Sequence, residues 1–107
     1  MIYKFKSKSA GDVLMMGPNG DQVMRLLGRD PAPKGIIESA DMPAAIRTLE
    51  QAVADEEARR AEAQKEAEAK GEKLPPHEGV GLRQRVWPLI EMMRRSHAAG
   101  HDIVWGV

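Results

Sequence analysis

The feature that most constrains this chain is a polar stretch at residues 55–78. It contains 13 charged residues and five alanines, but only one large apolar side chain, Leu74. Ordering a residue costs about 1.5 kcal/mol, and this stretch has almost no apolar surface to offset that cost. Large apolar residues flank it, 18 in residues 1–53 and 12 in residues 80–107. We therefore predict a single domain over residues 1–107, with a core from residues 1–54 and 79–107 and a charged, helical or disordered excursion at 55–78.

The first third of the chain shows strand patterns, then a helix, then a strand. Tyr3 and Phe5 alternate with polar residues, which predicts a half-buried strand. The continuous apolar run at 13–16 suits a central strand covered on both faces, and its closeness to the first strand predicts a hairpin. A short helix should follow, with Asn19 as its N-cap and Gly28 just past its end. Residues 35–38 then form a third strand.

The sequence from Asp41 onward predicts two long helices and a last strand. Asp41 is the predicted N-cap of a helix whose apolar face stops after Val53 and whose end is Gly71. The final helix runs through Pro88 to Gly100, before a strand at 102–106. Its predicted apolar face consists of Leu82, Val86, Leu89, Ile90, Met93 and His97. The order β-β-α-β-α-α-β predicts an α+β fold, with a small, mostly antiparallel sheet, helices packed on one face and a long charged helix projecting.

Composition argues against several function classes. The 16 basic and 16 acidic residues cancel, whereas nucleic-acid binding depends on excess positive charge. The four arginines of the last helix, which spread around its circumference and form no single basic stripe, are Arg83, Arg85, Arg94 and Arg95. We therefore predict no nucleic-acid partner. Without cysteine there is no disulfide, thiolate nucleophile or Cys-ligated zinc. No apolar run reaches the roughly 20 residues that span a bilayer. The charged N-terminal residues are atypical of a signal peptide, so we predict a cytoplasmic location and no membrane partner.

Several strings in the sequence resemble a known family. The segments GPNGD, PAPKGIIE and VWGV, together with LRQRVWPLIEMMRR, resemble a family of short bacterial proteins classed as domain of unknown function 1840. The resemblance covers almost the whole chain outside residues 55–78. It implies a small soluble protein of proteobacterial type, and it implies no activity, substrate or catalytic residue.

The glycine-rich segment at residues 17–21 is a candidate anion site. It lies between a predicted strand and a predicted helix, where free backbone N–H groups of Gly17, Asn19 and Gly20 could hold an anion. The spacing fits neither common nucleotide-binding motif. The alternative is a tight turn with a helix cap, in which Asp21 already supplies the negative charge that a helix N-terminus attracts.

The positions of the histidines and serines predict neither a metal site nor a catalytic nucleophile–base pair. His97 and His101 would share one helix face, but Gly100 is predicted to end the helix between them, so we predict no metal site with Asp102. Ser96 and His97 are adjacent on a helix and point about 100° apart, which prevents a nucleophile–base pair. The carboxylates cluster in the solvated stretch. We therefore predict no catalytic residues and no cofactor.

The most unusual feature of the last helix is a tryptophan off its apolar face. At about 100° per residue, Trp87 falls beside that face, with Arg83 and Arg94 next to it. Tryptophan and arginine are typical of interface hot spots. The alternative is that the long helix covers Trp87, with the arginine stems lying over the ring.

These observations favour a non-catalytic interaction or adaptor protein. We predict that its partner is another protein or a second copy of the chain. The predicted contact surface, which we call the Trp87 shoulder, consists of Arg83, Trp87 and Arg94. The alternative is a module that binds a small molecule or anion at the segment 17–21.

Overall fold

The computed structural model describes residues 2–72 and 81–107. Residues 73–80, which include Leu74 and a predicted proline loop, lie outside the described residues. The elements, in chain order, are β1 (Ile2–Ser7), β2 (Ala10–Met16), α1 (Gly17–Leu26), β3 (Gly35–Ile37), a 3₁₀ turn (Ser39–Asp41), α2 (Met42–Ala69), α3 (Leu82–Ala99) and β4 (Ile103–Trp105). The α+β class and the predicted order of elements are confirmed.

The four strands form one antiparallel sheet in the order β2-β1-β4-β3. The hairpin aligns Tyr3 with Met15 and Phe5 with Val13, so it starts the sheet as predicted. The C-terminal strand β4 then fits between β1 and β3, with Val104 aligned with Ile36. Both ends of the chain therefore contribute to one sheet.

One face of the sheet carries the core. Three aromatic rings meet there, with ring centroids 5.8 Å apart for Tyr3 and Phe5 and 5.6 Å apart for Phe5 and Trp105. These side chains are almost fully buried, and the helices pack over them. From the helices, the core takes Val23, Met24, Met42, Leu49, Val53, Leu82, Val86, Leu89, Ile90, Met92 and Met93.

Two glycines let backbone approach aromatic rings on this face. A Cβ on Gly20 would overlap the ring of Tyr3, and a Cβ on Gly35 would overlap the ring of Trp105. Trp105 also donates a hydrogen bond from Nε1 to the carbonyl oxygen of Ala32, at 3.1 Å. The strings PAPKG and VWGV thus contact each other across the fold, and GPNGD packs against Tyr3.

The prediction for β2 is wrong in one respect. The apolar run was expected to be covered on both faces, yet β2 is the outermost strand, and its Leu14 and Met16 are 64% and 62% exposed. Only Met15 of the run is buried. The reason is that all three helices pack on the same side of the sheet, so a continuous apolar run here does not indicate burial on both sides.

The predicted start of α1 is also corrected. The helix begins at Gly17, directly after β2, and its N-cap is Met16 rather than Asn19. The Asn19 side chain instead accepts a hydrogen bond from Nη1 of Arg85, at 3.2 Å. The predicted helix ends are confirmed, because Gly28, Gly71 and Gly100 have positive φ angles of 76°, 71° and 71° beside the C-termini of α1, α2 and α3.

His97 does not lie on the buried face of α3. It is exposed, and the buried residue at the end of that face is Ser96, whose Oγ lies 2.7 Å from Oγ of Ser7. The apolar face of α3 passes through Met92 and Met93 and ends at Ser96, so the turn that reaches the hairpin is polar.

Beyond Val53, α2 continues as an exposed charged helix. Arg60 and Gln64 are exposed, whereas Ala67 is buried at 4% exposure but does not belong to the core cluster. The radius of gyration is 16.0 Å, compared with about 13 Å for a compact chain of this length. Among the described residues, no helix combines the length and apolar character needed to cross a membrane.

Candidate interaction surfaces

The Trp87 shoulder lies where α3 packs against α2. The Trp87 side chain is 42% exposed, and the guanidinium carbon of Arg94 lies 5.3 Å from the centroid of its rings, in cation–π range. Arg94 also forms ion pairs with Glu50 of α2, at 3.3 Å, and with Glu91, at 2.6 Å. The tryptophan is therefore partly covered by an arginine that is itself held by two carboxylates.

The second arginine of the shoulder is also paired within the chain. Arg83 donates two hydrogen bonds to the Glu57 carboxylate, at 2.7 and 3.1 Å. These hydrogen bonds hold the pKa of Glu57 below its usual range. Both predicted arginines thus connect α3 to α2, and the role of the shoulder in partner binding stays a prediction.

The first turn of α1, predicted as an anion site, makes contacts within the protein. Gly17 and Gly20 are buried, and Asn19 receives its hydrogen bond from Arg85. The Tyr3 hydroxyl donates a 2.5 Å hydrogen bond to Oδ1 of Asp21. Burial and this hydrogen bond raise the pKa of Tyr3 to about 12. Anion binding at this turn stays a prediction.

His97 and Asp102 hold the 3₁₀ turn that precedes α2. The Nδ1 atom of His97 lies 2.8 Å from the carbonyl oxygen of Ser39, and Oδ1 of Asp102 accepts the backbone N–H of Ser39 at 2.8 Å. Both side chains thus have structural partners. Within residues 2–72 and 81–107, no group of three or more His, Cys, Asp or Glu residues could hold a metal ion.

A serine–histidine pair that the sequence did not predict lies at the hairpin turn. Oγ of Ser9 is hydrogen-bonded to Nδ1 of His101, although the two residues are 92 positions apart. No local spacing could have signalled this pair, because it depends on β4 pairing with β1. Nothing in the described residues supplies a carboxylate to His101, so the pair lacks the third member of a catalytic triad.

An open cleft of 610 Å³ lies beside this pair. Its charged lining residues are Lys6, Lys8, Asp12 and Asp102, and their formal charges cancel. Asp12 forms an ion pair with Lys4, at 3.6 Å, and Asp102 is bonded to the backbone of Ser39. The lining therefore shows no preference for a charged ligand of either sign.

Several exposed apolar side chains of the described residues lie on the sheet face without helices, which we call the outer face. Ile2, Leu14 and Met16 are exposed there to 60%, 64% and 62%. Ile2 and Met16 are aligned across the hairpin, and Leu14 is two positions from Met16 on the same face. Ile36, on β3, adds a fourth exposed side chain at 41%. Sequence reasoning missed this surface because it expected the run at 13–16 to be buried.

The fold and these surfaces define a class: a small α+β protein whose helices cover one face of an antiparallel sheet and leave an apolar outer face open. The chain belongs to the family described as Domain of unknown function (DUF1840), whose model matches residues 1–105 of its 107 residues. This confirms the resemblance found in the sequence. A search of curated proteins and a search of solved structures each found no match.

Proposed function

We propose that this protein is a non-catalytic protein-interaction or adaptor protein of the bacterial cytoplasm, and that its outer face is the contact surface. The observation that carries the proposal is the grouping of Ile2, Leu14 and Met16, each at least 60% exposed, on one corner of the sheet. Contiguous exposed apolar surface on a small domain is typical of a binding site.

A partner that covers these three side chains would gain binding free energy from the apolar surface it buries. Burying a large apolar side chain contributes about 1.5–3 kcal/mol, so covering these three residues would contribute on the order of 3 kcal/mol or more to a complex. Lys4 and Lys6 lie on the same face and provide a polar margin around the patch. An apolar centre with a charged margin is the usual composition of a protein–protein contact.

Compared with the Trp87 shoulder, the outer face is more available to a partner. The arginines of the shoulder already form ion pairs with Glu50, Glu57 and Glu91, so a partner would have to compete with those contacts. Leu14 and Met16 are aliphatic and have no such pairing to break.

The proposal is tested with one variant for each surface. The outer-face variant is Leu14→Thr/Met16→Thr, because threonine removes apolar surface and keeps a high preference for strands. The shoulder variant is Trp87→Gln, which removes the indole from an exposed helix position and keeps helix propensity. Tagged full-length chains are recovered from their host at native expression, and the accompanying proteins are identified by mass spectrometry.

We expect the unmodified chain and Trp87→Gln to retain the same partner and the outer-face variant to lose it. Circular dichroism and urea unfolding of all three chains establish that each is folded. If the outer-face variant retains every partner, or if only Trp87→Gln loses one, the outer face is not the contact surface.

A further inference from the structure

A cleft of 360 Å³ lies between the three helices, away from the outer face. Its apolar lining takes one side chain from each helix, namely Leu26 of α1, Ala52 of α2 and Leu82 of α3. Its polar lining consists of Gln22, Asp55, Glu56, Arg59 and Arg85. Small-molecule sites occupy about 300–1,000 Å³ and combine apolar walls with a few convergent polar groups, so this cleft has the size and composition of a small site.

Within this lining, Arg85 lacks an opposite charge. Its neighbours on α3, Arg83 and Arg94, each form an ion pair with a glutamate of α2. Arg85 is partly buried and donates from Nη1 to the neutral amide of Asn19, while its Nε is buried without a hydrogen-bond partner. Its Nη2 has no partner among the described residues either. Because a buried charge is costly unless it is paired, Arg85 would gain from an anionic ligand.

A second guanidinium of the lining is also without an ion pair. Arg59 pairs with none of the described carboxylates. The carboxylates of the lining differ from each other, since Glu56 is ion-paired with Arg60, whereas Asp55 only accepts a 2.9 Å hydrogen bond from Gln51. The lining therefore holds two guanidiniums without a carboxylate partner and one carboxylate without a cationic partner, a balance that favours an anion.

We propose that this cleft binds a small organic molecule that carries one carboxylate beside an apolar chain. The carboxylate pairs with Arg85 and Arg59, because a planar guanidinium can donate two parallel hydrogen bonds to a carboxylate. The apolar chain lies against Leu26 and Ala52, which are partly buried. A phosphate would bring about two negative charges close to Asp55, so a monocarboxylate fits the lining better. The site shares no residue with the outer face and is independent of the proposed function.

Octanoate is the probe, and octanamide is its neutral analogue with the same apolar chain. Each is titrated into the isotope-labelled full-length chain, and nuclear magnetic resonance shifts give the Kd. The test variants are Arg59→Gln and Arg85→Gln, which remove the charge and keep helix propensity. The matched control is Arg95→Gln, because Arg95 is an exposed residue of α3 that does not line the cleft. Circular dichroism establishes that each variant is folded.

We expect octanoate to bind saturably, with octanamide weaker by about tenfold or more. Each of the two test variants should raise the Kd for octanoate by about tenfold or more, since a hydrogen bond to a charged group is lost. Arg95→Gln should leave this Kd unchanged, and Asp55→Asn should lower it because the opposing charge is removed. If Arg85→Gln does not fold, Arg59→Gln decides the test, because Arg59 is exposed and forms no contact that the fold needs.

Three results would overturn the site. The first is the absence of a saturable shift at millimolar octanoate, and the second is equal affinity for octanoate and octanamide. The third is binding that survives in Arg59→Gln and Arg85→Gln but is lost in Leu14→Thr/Met16→Thr, which would place the apolar chain on the outer face. Octanoate binding that is unchanged in the outer-face variant separates this site from the proposed contact surface.

Discussion

At the scale of single residues, Gly20 decides how closely α1 approaches the sheet. A Cβ at this position would overlap the ring of Tyr3, which is 1% exposed and cannot move outward. We predict that Gly20→Ala lowers the free energy of unfolding by about 1–3 kcal/mol, because overpacking forces a buried ring or the helix to shift. Urea denaturation followed by circular dichroism measures the change.

The matched control is Gly11→Ala, because a Cβ on Gly11 would meet no atom within 4 Å. Its free energy of unfolding should stay within about 0.5 kcal/mol of the original value or rise slightly, since alanine restricts the unfolded chain. Equal losses in both variants would show that glycine at position 20 is not needed for packing against Tyr3.

The titration of Tyr3 predicts that the folded protein loses stability at alkaline pH. Its phenol is buried and donates to Asp21, and these effects raise its pKa from 10.0 to about 12. Because the folded pKa lies above the unfolded one, the contribution of Tyr3 to stability is complete below pH 10 and is lost as the pH rises from 10 to 12. We therefore predict that the urea midpoint falls over this interval, and that it falls less in Tyr3→Phe.

The chain contains one tyrosine, so tyrosinate absorbance reports on this residue alone. The folded protein should show its tyrosinate midpoint near pH 12, and the urea-unfolded protein near pH 10. Coincident midpoints in the two states would contradict the buried Tyr3–Asp21 hydrogen bond as the cause.

At the scale of elements, local patterns predicted what depends on local interactions. The apolar period of α3 continues through Pro88, and the structure has one helix from Leu82 to Ala99. Gly28, Gly71 and Gly100 were predicted to end helices because a glycine accepts the left-handed conformation there, and all three adopt it.

What the sequence could not show depends on contacts between distant segments. Asn19 lies inside α1, which begins at Gly17, and its side chain accepts a hydrogen bond from Arg85, 66 positions away. Ser9 meets His101 only once β4 lies beside β1. The burial of residues 13–16 could not be predicted from their apolar character, because it depends on whether helices cover one face of the sheet or both. The outer face, on which the proposed function depends, follows from that choice.

At the scale of the whole molecule, α2 and α3 run antiparallel, and α2 extends past the start of α3. Glu50 pairs with Arg94 near one end of the contact, and Glu57 pairs with Arg83 at the other. None of the described residues after Val53 in α2 belongs to the core cluster. The described core cluster thus comes from segments on either side of the charged excursion. The division of the whole chain into a core and an excursion stays a prediction.

We predict that residues 59–80, which comprise the excursion beyond the Glu57–Arg83 contact and the two residues that follow it, can be removed. Because Glu57 and Arg83 are in contact, a short glycine–serine linker can join Ala58 to Gly81 in place of residues 59–80. The shortened chain should keep a urea midpoint close to that of the full chain, and its radius of gyration should fall from 16.0 Å toward the compact value of about 13 Å. Small-angle scattering measures the second quantity.

The control is Leu49→Ala in the core half of the same helix, which should cost about 2–5 kcal/mol because Leu49 is fully buried. A shortened chain that loses as much stability as Leu49→Ala would show that residues 59–80 supply part of the core. That result would contradict the division between a core and a charged excursion. A small loss combined with a full loss of partner binding would instead place a contact surface on the excursion, because the sheet and its outer face would be intact in that variant.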